Sequence, residues 1–132
     1  MSLWEVAMRI PAYDETKEAK VNGQKRKMFG EVLREFRNKN KISVSSLSQI
    51  SGITPSALFR IESKDPSRTP NRSTIANLLL SLSFLSGKRL EDVYEYFKEN
   101  IEDQKQLHQV YEGKEIALRL MKISREADKV QG

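Results

Sequence analysis

The chain has 132 residues, of which 38% are hydrophobic and 31% are charged. This size suits one domain, or one small domain with an appendage. No apolar run approaches the roughly 20 residues of a membrane span, and the basic start of a signal peptide is missing, so we expect a cytoplasmic protein with no membrane contact. There is no cysteine and a single histidine, His108, which excludes disulfides and the usual zinc sites.

The positive charge is concentrated in the middle of the chain. The net charge is +5, but residues 21–89 alone carry thirteen basic and four acidic residues, a net charge of +9. Residues 1–20 have a net charge of −1 and residues 90–132 a net charge of −3. A basic segment between two acidic ones indicates a module that faces a polyanion, although charge alone fits an ordinary solvated surface about equally well.

The first 23 residues are predicted to form an arm and a linker. Apolar side chains alternate along residues 3–10, a period of two that favours a short strand or extended arm ending at Pro11. Trp4 lies in this arm, and we expect it to pack on the bundle or in a dimer. Polar residues follow as far as Asn22 and Gly23, which signal a turn.

Three short helices are predicted between Gln24 and Ser63. The first runs from Gln24 to about Asn40, with apolar residues at three- and four-residue spacing on one face. Ser43 is expected to cap the second, over residues 44–50, which Gly52 ends as a left-handed residue. Thr54 is the expected cap of the third, with Pro55 at the first helical position, where its missing N–H is harmless.

The rest of the chain predicts a loop over residues 64–70 and three further helices. Thr69 or Asn71 caps a helix that ends at Ser86–Gly87. Next we predict a helix over residues 90–112 with an apolar stripe from Leu90 to Ile101, ended by Gly113. The last helix, about 114–129, carries apolar residues at a/d spacing. These seam residues are Ile116, Leu120, Ile123, Ala127 and Val130.

Two short helices joined by a tight turn at Gly52–Thr54 are typical of a helix-turn-helix, in which the second helix enters the major groove of DNA. Further features follow one another at fixed offsets. They are the residues Gly30–Arg37, Ile42–Ser43, Leu47–Ser56 and Leu58–Glu62, and Pro70 leading into Ile75–Leu78. In these residues the sequence resembles the Cro/CI-type, or XRE, family of helix-turn-helix regulators over residues 29–83.

The resemblance implies an all-α fold, a lambda-repressor-like helical bundle. We expect three parts: residues 1–23 as N-terminal extended arm and linker, 24–87 as the DNA-binding domain, and 88–132 as C-terminal dimerisation helices. The apolar seam at Ile116, Leu120, Ile123 and Ala127, with the Leu90–Ile101 stripe, favours a homodimer, although packing within one chain is the alternative. Truncation after Gly87 would then leave a folded monomer.

The resemblance also implies roles for single residues. The recognition helix is Pro55–Glu62, and its outward, base-reading residues are Pro55, Ser56, Phe59 and Arg60. Thr54 matches a phosphate contact as well as a cap. Arg37 and Glu62 match a structural salt bridge between the first and third helices.

Chemistry agrees with this assignment. Arg60 can bond both O6 and N7 of a guanine, with a phosphate contact as the alternative. Phe59 can pack on a thymine methyl group or fold onto the neighbouring helix. Residues in or beside loops are expected to hold phosphates, which fix the position on DNA without reading the sequence. These residues are Lys41, Ser43, Thr54, Lys64, Arg68 and Arg72.

We therefore expect a sequence-specific DNA-binding transcriptional regulator, in the first place a dimeric repressor on a two-fold operator. One alternative is a DNA-binding antitoxin whose terminal segments bind a toxin. Another is a protein-interaction module that has lost DNA contact, against which the +9 middle segment argues. No nucleophile–base pair, phosphate loop or metal-ligand set is recognisable, so we expect neither an enzyme nor a cofactor.

Overall fold

The computed structural model of the protein describes residues 27–63 and 69–131, and over these residues the fold is all-α, as expected. Six helices follow one another in the described ranges. They are α1 (Phe29–Lys39), α2 (Val44–Ser51), α3 (Pro55–Ile61), α4 (Arg72–Ser86), α5 (Leu90–Asn100) and α6 (Gln104–Gln131). None of them combines the length and the apolar character needed to cross a membrane. The arm and linker predicted for residues 1–23 lie outside the described residues.

The local signals around the turn between α2 and α3 are confirmed. The Ser43 hydroxyl accepts a hydrogen bond from the Ser46 N–H at 3.0 Å and caps α2, and Gly52 ends that helix with a φ of 77°. Thr54 caps α3 through the Ala57 N–H at 3.2 Å, followed by Pro55 at the start of the helix. Of the two caps considered for α4, Asn71 is the one used, through the Thr74 N–H.

The predicted start of α1 is wrong. The helix begins at Phe29 rather than Gln24, and Met28 at its N-cap provides no side-chain hydrogen bond. The Phe29 N–H instead donates to Oε1 of Gln106 on α6 at 2.6 Å, and Nε2 of Gln106 donates to Oγ1 of Thr69 at 2.7 Å. A buried side chain 77 residues away thus satisfies an amide that the first turn leaves free.

One hydrophobic core joins the helix-turn-helix to the C-terminal helices. Phe97 of α5 is fully buried, with its ring centroid 5.2 Å from that of Phe29 and 6.0 Å from that of Phe36, both on α1. The same core takes residues from all six helices. Its α4 to α6 members are Ile75, Ala76, Leu78, Leu79, Leu82, Leu90, Val93, Phe97, Val110 and Ala117, with Ile101 between α5 and α6.

This core corrects one expectation. The Leu90–Ile101 stripe, predicted to contribute a dimerisation surface, is buried within the chain at Leu90, Val93, Phe97 and Ile101. The core also has members on both sides of Gly87, where the DNA-binding domain is expected to end, and that domain boundary stays a prediction. Periodicity identifies an apolar face, but not whether that face is covered by the same chain or by another.

Gly113 does not end a helix, which is a third correction. Helix α5 ends at Asn100, well before Gly113, and α6 runs through Gly113 without a break. Gly113 is buried against α4, and a Cβ atom there would lie only 2.6 Å from Cγ2 of Ile75 and 3.2 Å from the Arg72 carbonyl oxygen. The glycine therefore serves close helix packing rather than a turn.

Candidate nucleic-acid interface

The two sides of α3 have opposite environments. Leu58 is fully buried, and Ile61 packs against the core. The four residues predicted to read bases, Pro55, Ser56, Phe59 and Arg60, are all exposed. Phe59 is the most informative of them, because 63% of this large apolar residue is accessible. It does not fold onto a neighbouring helix, which was the alternative for this side chain.

The turn between α2 and α3 is held by hydrogen bonds with side chains of α2 and of α4. Oγ of Ser48 donates to the Ile53 carbonyl oxygen at 2.6 Å, and the Ile53 N–H donates to Oγ of Ser51 at 3.1 Å. From α4, Nδ2 of Asn77 donates to the Ser51 carbonyl oxygen at 2.8 Å. These contacts fix the angle between the two helices, and hence the direction in which the exposed face of α3 points.

Arg37 and Glu62 lie together as the resemblance implied. Nε and Nη2 of Arg37 donate to the two carboxylate oxygens of Glu62 at 2.6 and 2.7 Å, and Nη1 donates to the Ile42 carbonyl oxygen at 3.0 Å. Each residue is only 8% exposed. The guanidinium therefore joins α1 both to the end of α3 and to the segment that enters α2, in the bidentate geometry that makes such pairs strong.

Lys41 lies at the joint between α1 and α2 with an unusual backbone. Its φ of 55° is in the left-handed region, the single positive value for a non-glycine residue in the described ranges. The Lys41 N–H bonds to the Asn38 carbonyl oxygen at 3.3 Å and the Ile42 N–H to the Arg37 carbonyl oxygen at 2.8 Å. This is a Schellman ending, in which glycine is the usual residue. The Lys41 residue is exposed.

The structure describes four of the six residues expected to hold phosphates. Lys41 precedes the α2 cap, and the exposed Ser43 and Thr54 are themselves the caps of α2 and α3. Arg72 begins α4, but Nη1 of its guanidinium is 2.8 Å from Oε2 of Glu112. A phosphate at Arg72 would have to share or displace that carboxylate. Lys64 and Arg68 lie outside the described residues.

The seam predicted for dimerisation is only partly exposed. Ile116 is half-buried and packs against the core, so it belongs in part to the fold of the single chain. Leu120 and Ile123 are 48% and 61% exposed, unusually accessible for large apolar side chains. The side chain of Ala127 lies outside the described residues. The side chain of Val130, the fifth seam residue, also lies outside the described residues. Leu120 and Ile123 are therefore the two seam residues whose exposed surface is established.

Sequence reasoning missed a residue that positions α3. Gly30 is buried in the first turn of α1, directly against the backbone at the end of α3. It belongs to the Gly30–Arg37 stretch that carries the family resemblance, but no role was expected for it. The available signal was a glycine among large apolar residues on the inward face of an amphipathic helix, where glycine lowers helix stability unless close packing requires it.

In the described ranges, no three histidine, cysteine, aspartate or glutamate residues lie together in a way that could hold a metal ion. Comparison with known proteins adds no assignment: no family model, curated protein or solved structure matches the chain. The features of the chain that bear on function are the exposed face of α3 and the contacts that hold this helix.

Proposed function

We propose that the protein is a sequence-specific double-stranded DNA-binding transcriptional regulator of the Cro/CI type, acting in the cytoplasm as a dimeric repressor. Its helices α1 to α4 would form the lambda-repressor-like unit, with α3 as the recognition helix. The observation that carries this proposal is the exposed face of α3 with Phe59 and Arg60, on a helix whose opposite side and end are fixed to α1 and the core.

The dimensions and chemistry of α3 suit the major groove. An α-helix with its side chains is about 10–12 Å in diameter, which fits the major groove of B-DNA, about 12 Å wide. With seven residues, α3 is about 10 Å long. Arg60 would bond a guanine, Phe59 would contact a thymine methyl group, and Ser56 would reach a base or a phosphate. Lys41, Ser43 and Thr54 would bind phosphates beside the groove and fix the register.

Repression is the simplest activity for such a protein, because a bound dimer needs only to cover a promoter. The proposal requires no cofactor and no catalysis. Selection of bound sites from random DNA would provide the operator, which the sequence does not specify. If neither the selected site nor random duplex is bound at low salt, the chain is an interaction module without DNA contact and the proposal is wrong.

The sharpest test of the reading role is Arg60→Ala. We expect it to weaken binding to the selected operator by about 1–3 kcal/mol and to relax the choice of base at one position in each half-site, because a bidentate guanine contact is lost. Binding to random duplex should change much less. Titrations of both duplexes at several salt concentrations measure the two effects separately.

The control for this substitution is Arg119→Ala, which removes the same charge from an exposed position on α6. It should leave the preference for the operator over random DNA unchanged. If Arg60→Ala instead weakens both duplexes equally and lowers the salt dependence by about one counterion, Arg60 is a phosphate contact. Ser56 or Phe59 would then be the residue that contacts the bases.

The dimer is proposed on the exposure of Leu120 and Ile123, one turn apart near the end of α6. A symmetric dimer implies a two-fold operator, with half-site centres about 34 Å apart or a multiple of this. The double substitution Leu120→Ser and Ile123→Ser should yield a folded monomer with weaker operator binding, as measured by light scattering and titration. Tyr111→Ser, at another exposed site on α6, should leave the mass unchanged.

A wild-type monomer at micromolar concentration would contradict the dimer. The same two exposed residues would then favour the second candidate, a DNA-binding antitoxin whose terminal segments cover a toxin. A short toxin gene beside this one, and a stable complex of the two products, would support that candidate. Neither outcome would alter the expectations for Arg60.

A further inference from the structure

Gly30 lies where α1 meets the end of the recognition helix. A Cβ atom at Gly30 would overlap the Ile61 carbonyl oxygen, and it would lie 3.0 Å from Cα of Glu62 and 3.1 Å from the carbonyl carbon of Ile61. All three neighbours are backbone atoms, so no rotation of a side chain could make room. A larger residue at position 30 would have to move one helix relative to the other.

The atoms that meet Gly30 belong to the last residue of α3 and to its C-cap. Arg60, the residue expected to read guanine, directly precedes them. Phe59 and Arg60 are within the last three residues of α3, so a displacement of this end of the helix displaces both of them. The position of the exposed face therefore depends on how near α1 can approach.

Arg37 provides a second attachment to the same end of α3. It lies two helical turns after Gly30 on α1, and it holds both carboxylate oxygens of Glu62. The contact at Gly30 thus limits how closely α1 and the end of α3 can approach each other. The ion pair between Arg37 and Glu62 holds the same two helices together. Together they fix both the distance and the angle between α1 and the end of α3.

We infer that Gly30 is a positioning residue for DNA recognition, because its lack of a side chain sets how α3 is presented to the major groove. This inference rests on the proposed function. Base-edge hydrogen bonds require donor–acceptor distances near 2.9 Å and good alignment, so a small shift of α3 disrupts them. Phosphate contacts through long, exposed side chains such as Lys41 tolerate the same shift.

The test is Gly30→Ala, with Gly113→Ala as the matched control. Both glycines are buried in helices and both lack room for a Cβ atom, but Gly113 faces Ile75 and Arg72 of α4 rather than α3. Each variant is titrated with the selected operator and with random duplex at several salt concentrations. The temperature is kept where circular dichroism shows the variant to be folded, so that lost stability does not imitate lost binding.

We expect Gly30→Ala to reduce the preference for the operator about tenfold or more, the size of a lost base contact. Its binding to random DNA and its salt dependence should stay close to wild type. Gly113→Ala should retain the wild-type preference, even if its thermal stability falls. Equal preference in wild type and Gly30→Ala, with the operator still selected by wild type, would overturn the inference and leave the proposed function intact.

A second variant covers the case in which Gly30→Ala does not fold. Arg37→Lys keeps the charge beside Glu62 but loses the fork that reaches both carboxylate oxygens and the Ile42 carbonyl. This substitution weakens the second attachment of α1 to the end of α3, the ion pair with Glu62. It should therefore also reduce the preference for the operator, while binding to random DNA persists. If Arg37→Lys prefers the operator as strongly as wild type does, the inference that α1 positions α3 for DNA recognition is wrong. Absence of any preference in wild type would overturn both the inference and the proposed function.

Discussion

Replacement of Arg37 by alanine is expected to lower the free energy of unfolding by roughly 3–5 kcal/mol, the cost of stranding one charge of a buried ion pair. Glu62, only 8% exposed, would be left without the guanidinium that now satisfies both of its oxygens. The Ile42 carbonyl would lose its Nη1 partner as well. Chemical denaturation of the free protein measures the effect.

Two further variants interpret the result. Arg72→Ala breaks the ion pair with Glu112, in which the arginine side chain is largely exposed, and should cost less than about 1 kcal/mol. The double substitution Arg37→Met and Glu62→Leu should recover most of the stability, because buried pairs can often be replaced by apolar residues of similar volume. A loss below about 1 kcal/mol for Arg37→Ala would show that water reaches the pair.

Phe97→Ala is expected to destabilise the protein by about 3–5 kcal/mol through the lost burial and the cavity left behind. Phe97 is fully buried between Phe29 and Phe36, at the place where the C-terminal helices meet α1. The effect should appear in the unfolding of the whole protein as a single transition, since the core is continuous. Calorimetry together with denaturant titration measures both the size and the cooperativity.

The matched control is Phe84→Ala, because Phe84 is 72% exposed and should change stability by no more than about 0.5 kcal/mol. Truncation after Gly87 extends the same argument. It removes Phe97 and the other C-terminal core residues at once, so the remaining segment should lack a cooperative transition. A truncated chain that unfolds cooperatively would instead support an independent domain at residues 24–87.

The sequence was most informative where the physical cause is local. Ser43, Thr54 and Asn71 each accept a hydrogen bond from an amide three residues later. Gly52 and Gly87 both end helices with positive φ angles. Such signals involve only neighbouring residues, so α2, α3 and the turn between them could be expected from the amino-acid sequence alone.

Long-range contacts explain the errors. The start of α1 depends on Gln106, which no pattern near Phe29 could indicate. Gly113 has the same local signature as a helix end, yet its absent side chain admits Ile75 of another helix. The stripe from Leu90 to Ile101 was correctly identified as apolar, but it packs against α1, α4 and α6 of the same chain rather than against a second copy.

The candidate site divides in the same way. The outward residues of α3 were implied by the family resemblance, and the apolar residues Leu58 and Ile61 indicated the inward side. Contacts between residues that lie far apart along the chain could not be predicted. Neither the competition of Glu112 for Arg72 nor the approach of α1 to the Ile61 carbonyl could be derived from sequence patterns, because each depends on how distant helices pack.

The left-handed backbone of Lys41 lowers the stability of the fold at one position. A left-handed lysine is disfavoured by about 1–2 kcal/mol relative to the right-handed conformation, a penalty that glycine would avoid. The protein thus retains a cation, rather than the more stable residue, beside the start of α2. Lys41→Gly should therefore raise the thermal stability of the chain. If the proposed phosphate contact at Lys41 is correct, the same substitution should also weaken DNA binding, so that stability and binding change in opposite directions at this one residue.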